Sequence, residues 1–273
     1  MSKMFCLVYL DTIEFVGELL NTYNVTNMHD MFYATNVTTL DLSLFDTSNV
    51  KDMSSMFEAC DKLKNINLRS FDTSNVKDMS RMFNQCKKLT KLNLSSFNTF
   101  NVIDMDGMFY NNKSLGRLDL SSFNTSNVTT MYGMFEQCTK IKKIINNFDT
   151  SNVKTMTSMF RFCRSLEAID CSSFNTSNLQ YMQEMFAGCM KIKSLDLSNF
   201  NTSNVNNMES LFAGCSELTY LDISNFSIKH STSITNMFAN CNSLKTIKCK
   251  PKVKELLIKN KSIVKLPNNV TFI

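Results

Sequence analysis

Between residues 71 and 94 the apolar positions change their period. Met79, Met82, Phe83 and Cys86 stand at i, i+3, i+4 and i+7, the spacing that puts side chains on one helical face. Asn75 precedes this run as a candidate N-cap, and Asp78 three residues later suits the positive end of a helix. Leu92 and Leu94 then alternate with polar Lys91, Asn93 and Ser95, as a half-buried strand does. The pattern predicts one short helix, one turn and one short strand.

The same phrase recurs along the chain. Phe45, Phe71, Phe97, Phe123, Phe148, Phe174, Phe200 and Phe226 open copies spaced 25 or 26 residues apart, and a degenerate copy opens at Leu20, which makes nine units. A unit of this size cannot bury its own apolar face and must stack on its neighbours, so the expected fold is an α/β repeat solenoid whose successive strands run parallel. The expected organisation is an N-terminal cap over 1–19, a solenoid over 20–251 and a basic C-terminal cap over 252–273.

Composition follows from this arrangement. Of 19 Met, 16 fall in two columns of the alignment, one from Met28 to Met208 and one from Met31 to Met237. Two further columns hold 17 of the 22 Phe, and one holds Cys60, Cys86, Cys138, Cys163, Cys189, Cys215 and Cys241. These residues are the expected core. The cysteines read as small buried side chains with free thiols. Stacked helices about 8–10 Å apart would hold their Cα atoms beyond the roughly 7 Å a disulfide spans.

Two motifs carry a family resemblance. Cys60-x-x-Leu63-x-x-Ile66-x-Leu68 resembles the strand pattern of leucine-rich repeats. The longer phrase Phe-Asp/Asn-Thr-Ser-Asn-Val-x-x-Met-x-x-Met-Phe-x-x-Cys resembles the BspA-like leucine-rich repeat family of surface proteins. The resemblance implies a leucine-rich-repeat-like stack capped at both ends, and a function of macromolecular recognition, often adhesion at a cell surface, without catalysis. Phe71 and its equivalents stand where the general pattern has Asn or Cys, so a Phe spine is expected in place of an Asn ladder.

Catalytic chemistry finds little support in the residues themselves. Only His29 and His230 exist, at opposite ends of the stack, with no spacing to Cys, Ser or carboxylates that suggests a triad or zinc motif, and the six Gly form no phosphate loop. No enzyme activity, metal, cofactor or small-molecule substrate is expected. Asp11 and Glu14 interrupt the apolar N-terminal run, so it makes a poor signal peptide, and no stretch has the roughly 18 apolar residues of a membrane span. These residues point to the cytoplasm, while the resemblance implies a cell-surface or secreted protein.

Columns that stay fixed serve the stack, whereas columns that vary are free to meet a partner. The position before the first apolar strand residue varies from unit to unit, and with its neighbour it supplies Asn65, Lys91, Arg117, Lys142, Lys143, Lys193 and the aromatic Tyr220. Nine parallel strands about 4.8 Å apart would spread these over a face roughly 40 Å long. The expected function is therefore a monomeric interaction module that binds a protein or other macromolecule through its strand face. The Asp column at the strands, Asp41, Asp119, Asp170, Asp196 and Asp222, reads as a solvated face rather than a cation ladder. The Thr and Asn columns offer a different possibility, a regular polar surface array.

Charge singles out one region. Residues 245–273 hold eight Lys and one Glu, a net +7 against +5 for the chain. KVKELLIKNK places Val253, Leu256 and Leu257 on one helical face, as a cap over the last unit. Lys248, Lys250, Lys252, Lys254, Lys259 and Lys261 are candidate contacts for an anionic partner. The segment lacks the interleaved aromatics of a nucleic-acid site.

Overall fold

The computed structural model describes residues 1–15 and 21–273. The expected start of the first unit at Leu20, and the end of the N-terminal cap, lie outside the described residues. Short parallel strands recur at repeat spacing: β1 (Thr12–Ile13), β2 (Thr39–Asp41), β3 (Asn65–Asn67), β4 (Arg117–Asp119), β5 (Lys143–Ile145), β6 (Ser194–Asp196), β7 (Tyr220–Asp222) and β8 (Thr246–Lys248). They are followed by α1 (Pro251–Lys259), α2 (Lys261–Val264) and β9 (Thr271–Phe272). Where two successive units both form strands, these pair one unit apart, as Leu40 with Ile66 and Leu221 with Ile247. The result is a parallel solenoid with one continuous core from Met28 to Leu266.

The pairing runs in three blocks, β1–β3, β4–β5 and β6–β9. Residues 91–93 and 168–170 follow the path without strand pairing. The strand face is thus interrupted twice rather than being one sheet of nine.

The expected helix in each unit is replaced by consecutive tight turns. The N–H of Met31 donates to the carbonyl of Met28 and that of Tyr33 to Asp30, three residues back. The intervening N–H groups of Asp30, Phe32 and Ala34 donate across to Ser54, Met56 and Glu58 of the next unit. Two residues four apart take left-handed φ in every unit, as Asp30 with Ala34 and Gly107 with Asn111. The reason is spacing: strands stack about 4.8 Å apart, whereas helices need about 8–10 Å. Turns satisfy the strand spacing and still bury residues at i, i+3 and i+4. Phe32, Phe57, Phe83, Phe109, Phe135, Phe160, Phe186, Phe212 and Phe238 stack there with centroids 5.4–6.1 Å apart.

Side-chain ladders tie the units together. Thr47 Oγ1 donates to the carbonyl of Asp72 at 2.8 Å and accepts from the Asp72 N–H at 2.9 Å. Thr73 does the same with Asn98. From Thr22 to Thr202 these eight threonines are at most 2% exposed, so they cannot form a surface array. Asn75 is no helix N-cap. Its Nδ2 donates to the Ser48 carbonyl of the preceding unit at 2.7 Å, as Asn101 does to Ser74.

The cysteine column forms a third ladder. Each thiol donates to the Phe carbonyl of the unit before, as Cys86 to Phe57 at 3.2 Å and Cys138 to Phe109 at 3.0 Å. The cysteines are free thiols, but the distance argument from helices no longer applies, because turns stack more closely. Burial pushes Cys60 up to about 11 and Cys138 and Cys189 to about 12.

Both ends are closed by related means. At the N-terminus Lys3, Phe5 and Leu7 donate to His29, Met31 and Tyr33, with Lys3 and Leu7 left-handed, so this segment copies the turn half of a unit. Its Phe5 stacks on Phe32 at 5.3 Å. At the C-terminus α1 buries Val253 and Leu257, and the carbonyls of Ile263 and Val264 accept from Asn236 and Phe238.

Candidate recognition surface

Alternation sends the middle residue of a strand inward and its neighbours outward, as in β4, where Leu118 is buried and Arg117 and Asp119 are exposed, but in β7 Asp222 is buried as well, so the Asp column is not solvated throughout. Asn65, Lys91, Arg117, Lys142, Lys143 and Lys193 are all exposed on this side, and Tyr220 is half-buried. The Asp column lies beside them. Its carboxylates cap the turn that ends each strand: Asp41 accepts from the Ser43 N–H at 3.0 Å, Asp119 from Ser121 at 3.1 Å and Asp170 from Ser172 at 2.9 Å. Hydrogen bonds from Ser43, Ser121 and Ser172 hold these carboxyls below the ordinary Asp value.

The acids also reach the basic residues. Arg117 stands 3.9 Å from Asp119 and Lys142 3.8 Å from Glu167, both in water, where such pairs are weak. Lys91, Lys143 and Lys193 form no ion pair among the described residues. The face is therefore a mosaic with three uncommitted lysines. It offers a partner both signs of charge.

The basic cap divides similarly. Lys248 is paired with Asp222 at 2.8 Å, which raises the lysine above its ordinary value, and Lys250 reaches Asn225 at 3.3 Å. Lys254 lies 5.9 Å over the Phe272 ring. Lys252, Lys259 and Lys261 are exposed without ion pairs among the described residues, as is Lys265.

Two arrangements escape sequence reasoning. His29 meets a serine and a carboxylate: Nδ1 lies 2.8 Å from Ser54 Oγ and 3.1 Å from the Ser54 carbonyl, and Nε2 lies 3.1 Å from Asp30. This is not a catalytic triad. Ser54 Oγ donates its hydrogen to Asp52 at 2.5 Å and not to the His29 ring, so the imidazole is not set up to take a proton from this hydroxyl. The second is a cleft of about 410 Å³ on the turn side, lined by Tyr110, Tyr132, Asp106 and Glu58, with Gly107 and Gly133 among its walls. There Arg161 bridges Glu136 at 2.9 Å and Glu184 at 3.4 Å. The signal for it was present in the alignment, since glycines occupy two successive units of one column.

Among the described residues no group of three or more His, Cys, Asp or Glu is placed to hold a metal ion, and no helix is long and apolar enough to cross a membrane.

No curated protein matches the chain. A solved structure that matches is a leucine-rich-repeat protein of Leptospira interrogans, 14% identical over 92% of this chain and 72% of that one, with a TM-score of 0.31. Four overlapping stretches, residues 1–117, 62–169, 85–193 and 163–256, match the family described as "Mycoplasma protein of unknown function, DUF285". As these stretches together run from residue 1 to residue 256, the chain belongs to the DUF285 family.

Proposed function

We propose that this protein is a non-catalytic interaction module that binds a macromolecular partner through its exposed strand face. One observation carries the reading. Buried columns repeat the same residue from unit to unit, whereas the outward strand column, exposed except at the half-buried Tyr220 and Thr246, runs Thr39, Asn65, Lys91, Arg117, Lys143, Ala168, Ser194, Tyr220 and Thr246. Stacking does not dictate these side chains, so they are available for recognition. The BspA-like phrase supports a partner met at a cell surface, with adhesion as the finer reading.

The test is a pull-down that compares the intact chain with a Lys91→Ala, Arg117→Ala, Lys143→Ala variant, using lysate and intact cells as sources. A partner retained by the intact chain and lost by the variant, at an unchanged unfolding midpoint, is the expected outcome. Equal capture by both chains would remove the strand face from the binding site.

A further inference from the structure

The last unit leaves the repeat pattern where it meets the cap. Residues 203–205 of the preceding unit read Ser-Asn-Val, but their equivalents are Lys229, His230 and Ser231. Thr232 takes over the stacking role of Val205, since its N–H donates to the Lys229 carbonyl and its Oγ1 to the Val205 carbonyl at 3.1 Å, so the stack itself makes no use of the exposed Lys229 and His230 side chains. Lys229 and His230 instead face Lys252 and Lys259 of α1 across a cleft of about 470 Å³, with Ile263 in its lining and Glu255 as its one carboxylate. Lys259 also borders a second recess, shared with Lys261, Ser262 and Lys265. Lysines from three segments therefore converge on one end of the molecule.

We propose that the face formed by Lys229, Lys252, Lys259, Lys261, Lys265 and Ile263 docks on an anionic phospholipid bilayer. The five lysines are exposed and form no ion pair among the described residues, in contrast to Lys248 on the strand side. The segment that holds four of them carries net +7, so it complements a negative surface. Ile263 is 48% exposed between them, and Ile258, next to Lys259 in the chain, is 50% exposed. Exposed aliphatic side chains among lysines suit the headgroup boundary of a bilayer. Single-stranded nucleic acid would call for stacking aromatics, and no Phe, Tyr or Trp lines either recess, whereas contact with a phosphate backbone alone would make no use of Ile258 and Ile263. The docking is peripheral and independent of the strand face.

Co-sedimentation tests it, using vesicles of phosphatidylserine and phosphatidylcholine in equal parts against phosphatidylcholine alone. The full chain is expected to sediment with the mixed vesicles only, and to be released by added salt. Each lysine near an anionic leaflet contributes about fivefold to partitioning, so combined Lys252→Glu, Lys259→Glu and Lys261→Glu should lower it by at least about a hundredfold. Ile263→Ser should lower vesicle binding several-fold without changing affinity for soluble polyphosphate. These positions are exposed, and unchanged thermal unfolding of each variant checks the fold. Should the triple reversal unfold, Lys252→Gln with Lys259→Gln provides the same reading at smaller amplitude.

Failure to sediment with mixed vesicles, or binding that survives the reversal, overturns the proposal. An inert Ile263→Ser combined with full competition by polyphosphate would make this a soluble-polyanion site and overturn the lipid assignment. The Lys91→Ala, Arg117→Ala, Lys143→Ala variant is expected to keep vesicle binding. Its loss would move the lipid contact to the strand face.

Discussion

Asn112 occupies the slot that seven units fill with cysteine, and its Nδ2 donates 2.8 Å to the carbonyl of Phe83. The slot therefore requires a donor aimed at the preceding unit, not a thiol as such. Asparagine supplies that donor but leaves Oδ1 buried without a partner, which costs about 1–3 kcal/mol. Asn112→Cys should therefore stabilise the fold by about 1 kcal/mol, read as a higher urea midpoint at unchanged m value. A lower midpoint would show that the amide's stronger bond outweighs its stranded oxygen. Asp104 gives the residue scale a pH signature. Burial chiefly, with the neighbouring carboxylates of Asp106 and Asp78, raises it to about 6 from 3.8, and burial raises Asp106 and Glu136 as well. The folded state thus holds protons that the unfolded chain releases, so the contribution of these groups falls as pH climbs from about 4 to about 6. Asp104→Asn should make that fall shallower in urea midpoints measured across the window, and an unchanged slope would reject the assignment. The buried columns were legible because a repeat shows its core by recurrence. The work of the Asp column was not, since alternation tells which side a carboxylate faces but not that it caps its own turn.

At the scale of the element, the spacing of Met79, Met82, Phe83 and Cys86 fits a helix and a run of turns equally well, because both bury i, i+3 and i+4. What separates them is the hydrogen bonding of alternate N–H groups, which a single unit's sequence does not contain. A faint signal existed in Gly107, Gly133, Gly188 and Gly214, four of the six glycines, all at left-handed positions of this segment. Stacking distance settles the matter in favour of turns, and among the described residues helices form only in the C-terminal segment, as α1 and α2, which do not repeat at the strand spacing. Gly188 shows how tightly the turns pack. A Cβ built there would lie 2.4 Å from Cδ1 of Phe162, whose ring covers the glycine and carries the Arg161 guanidinium at 4.5 Å. Gly188→Ala is expected to cost about 2–4 kcal/mol, part steric and about 1–2 kcal/mol from left-handed φ. Adding Phe162→Ala should recover only the steric part, so a double-mutant cycle gives a coupling of opposite sign to the single cost. Full additivity would mean that the ring does not rest on this backbone.

At the scale of the whole molecule, the repeat period was legible in the sequence, but the N-terminal segment adds a partial turn that the period did not show, with β1 paired to β2 and Phe5 stacked on Phe32, and the closure of the ends was legible only in part. The sequence showed a lysine-rich amphipathic helix at the C-terminus, but not that Ile263 and Val264 would lend carbonyls to Asn236 and Phe238, or that β9 would return to pair with β8. Two deletions of similar length separate what a unit does from what a cap does. Removing residues 97–122 excises one whole repeat, and Phe123 then follows Ser96 in register with every ladder able to close. In a stack of nearest-neighbour interfaces this removes one unit and one interface, so the shortened chain should fold cooperatively with a smaller m value and modestly lower stability. Removing residues 251–273 deletes no unit, yet it uncovers Phe238, Leu244 and Ile247, all buried in the full chain, together with N–H groups that have no further acceptor. That chain should associate or precipitate at concentrations where the intact protein and the shortened stack remain monodisperse in light scattering. If the two deletions behaved alike, the ends of the stack would be no different from its middle, and the cap would have no structural role that separates it from the units it covers.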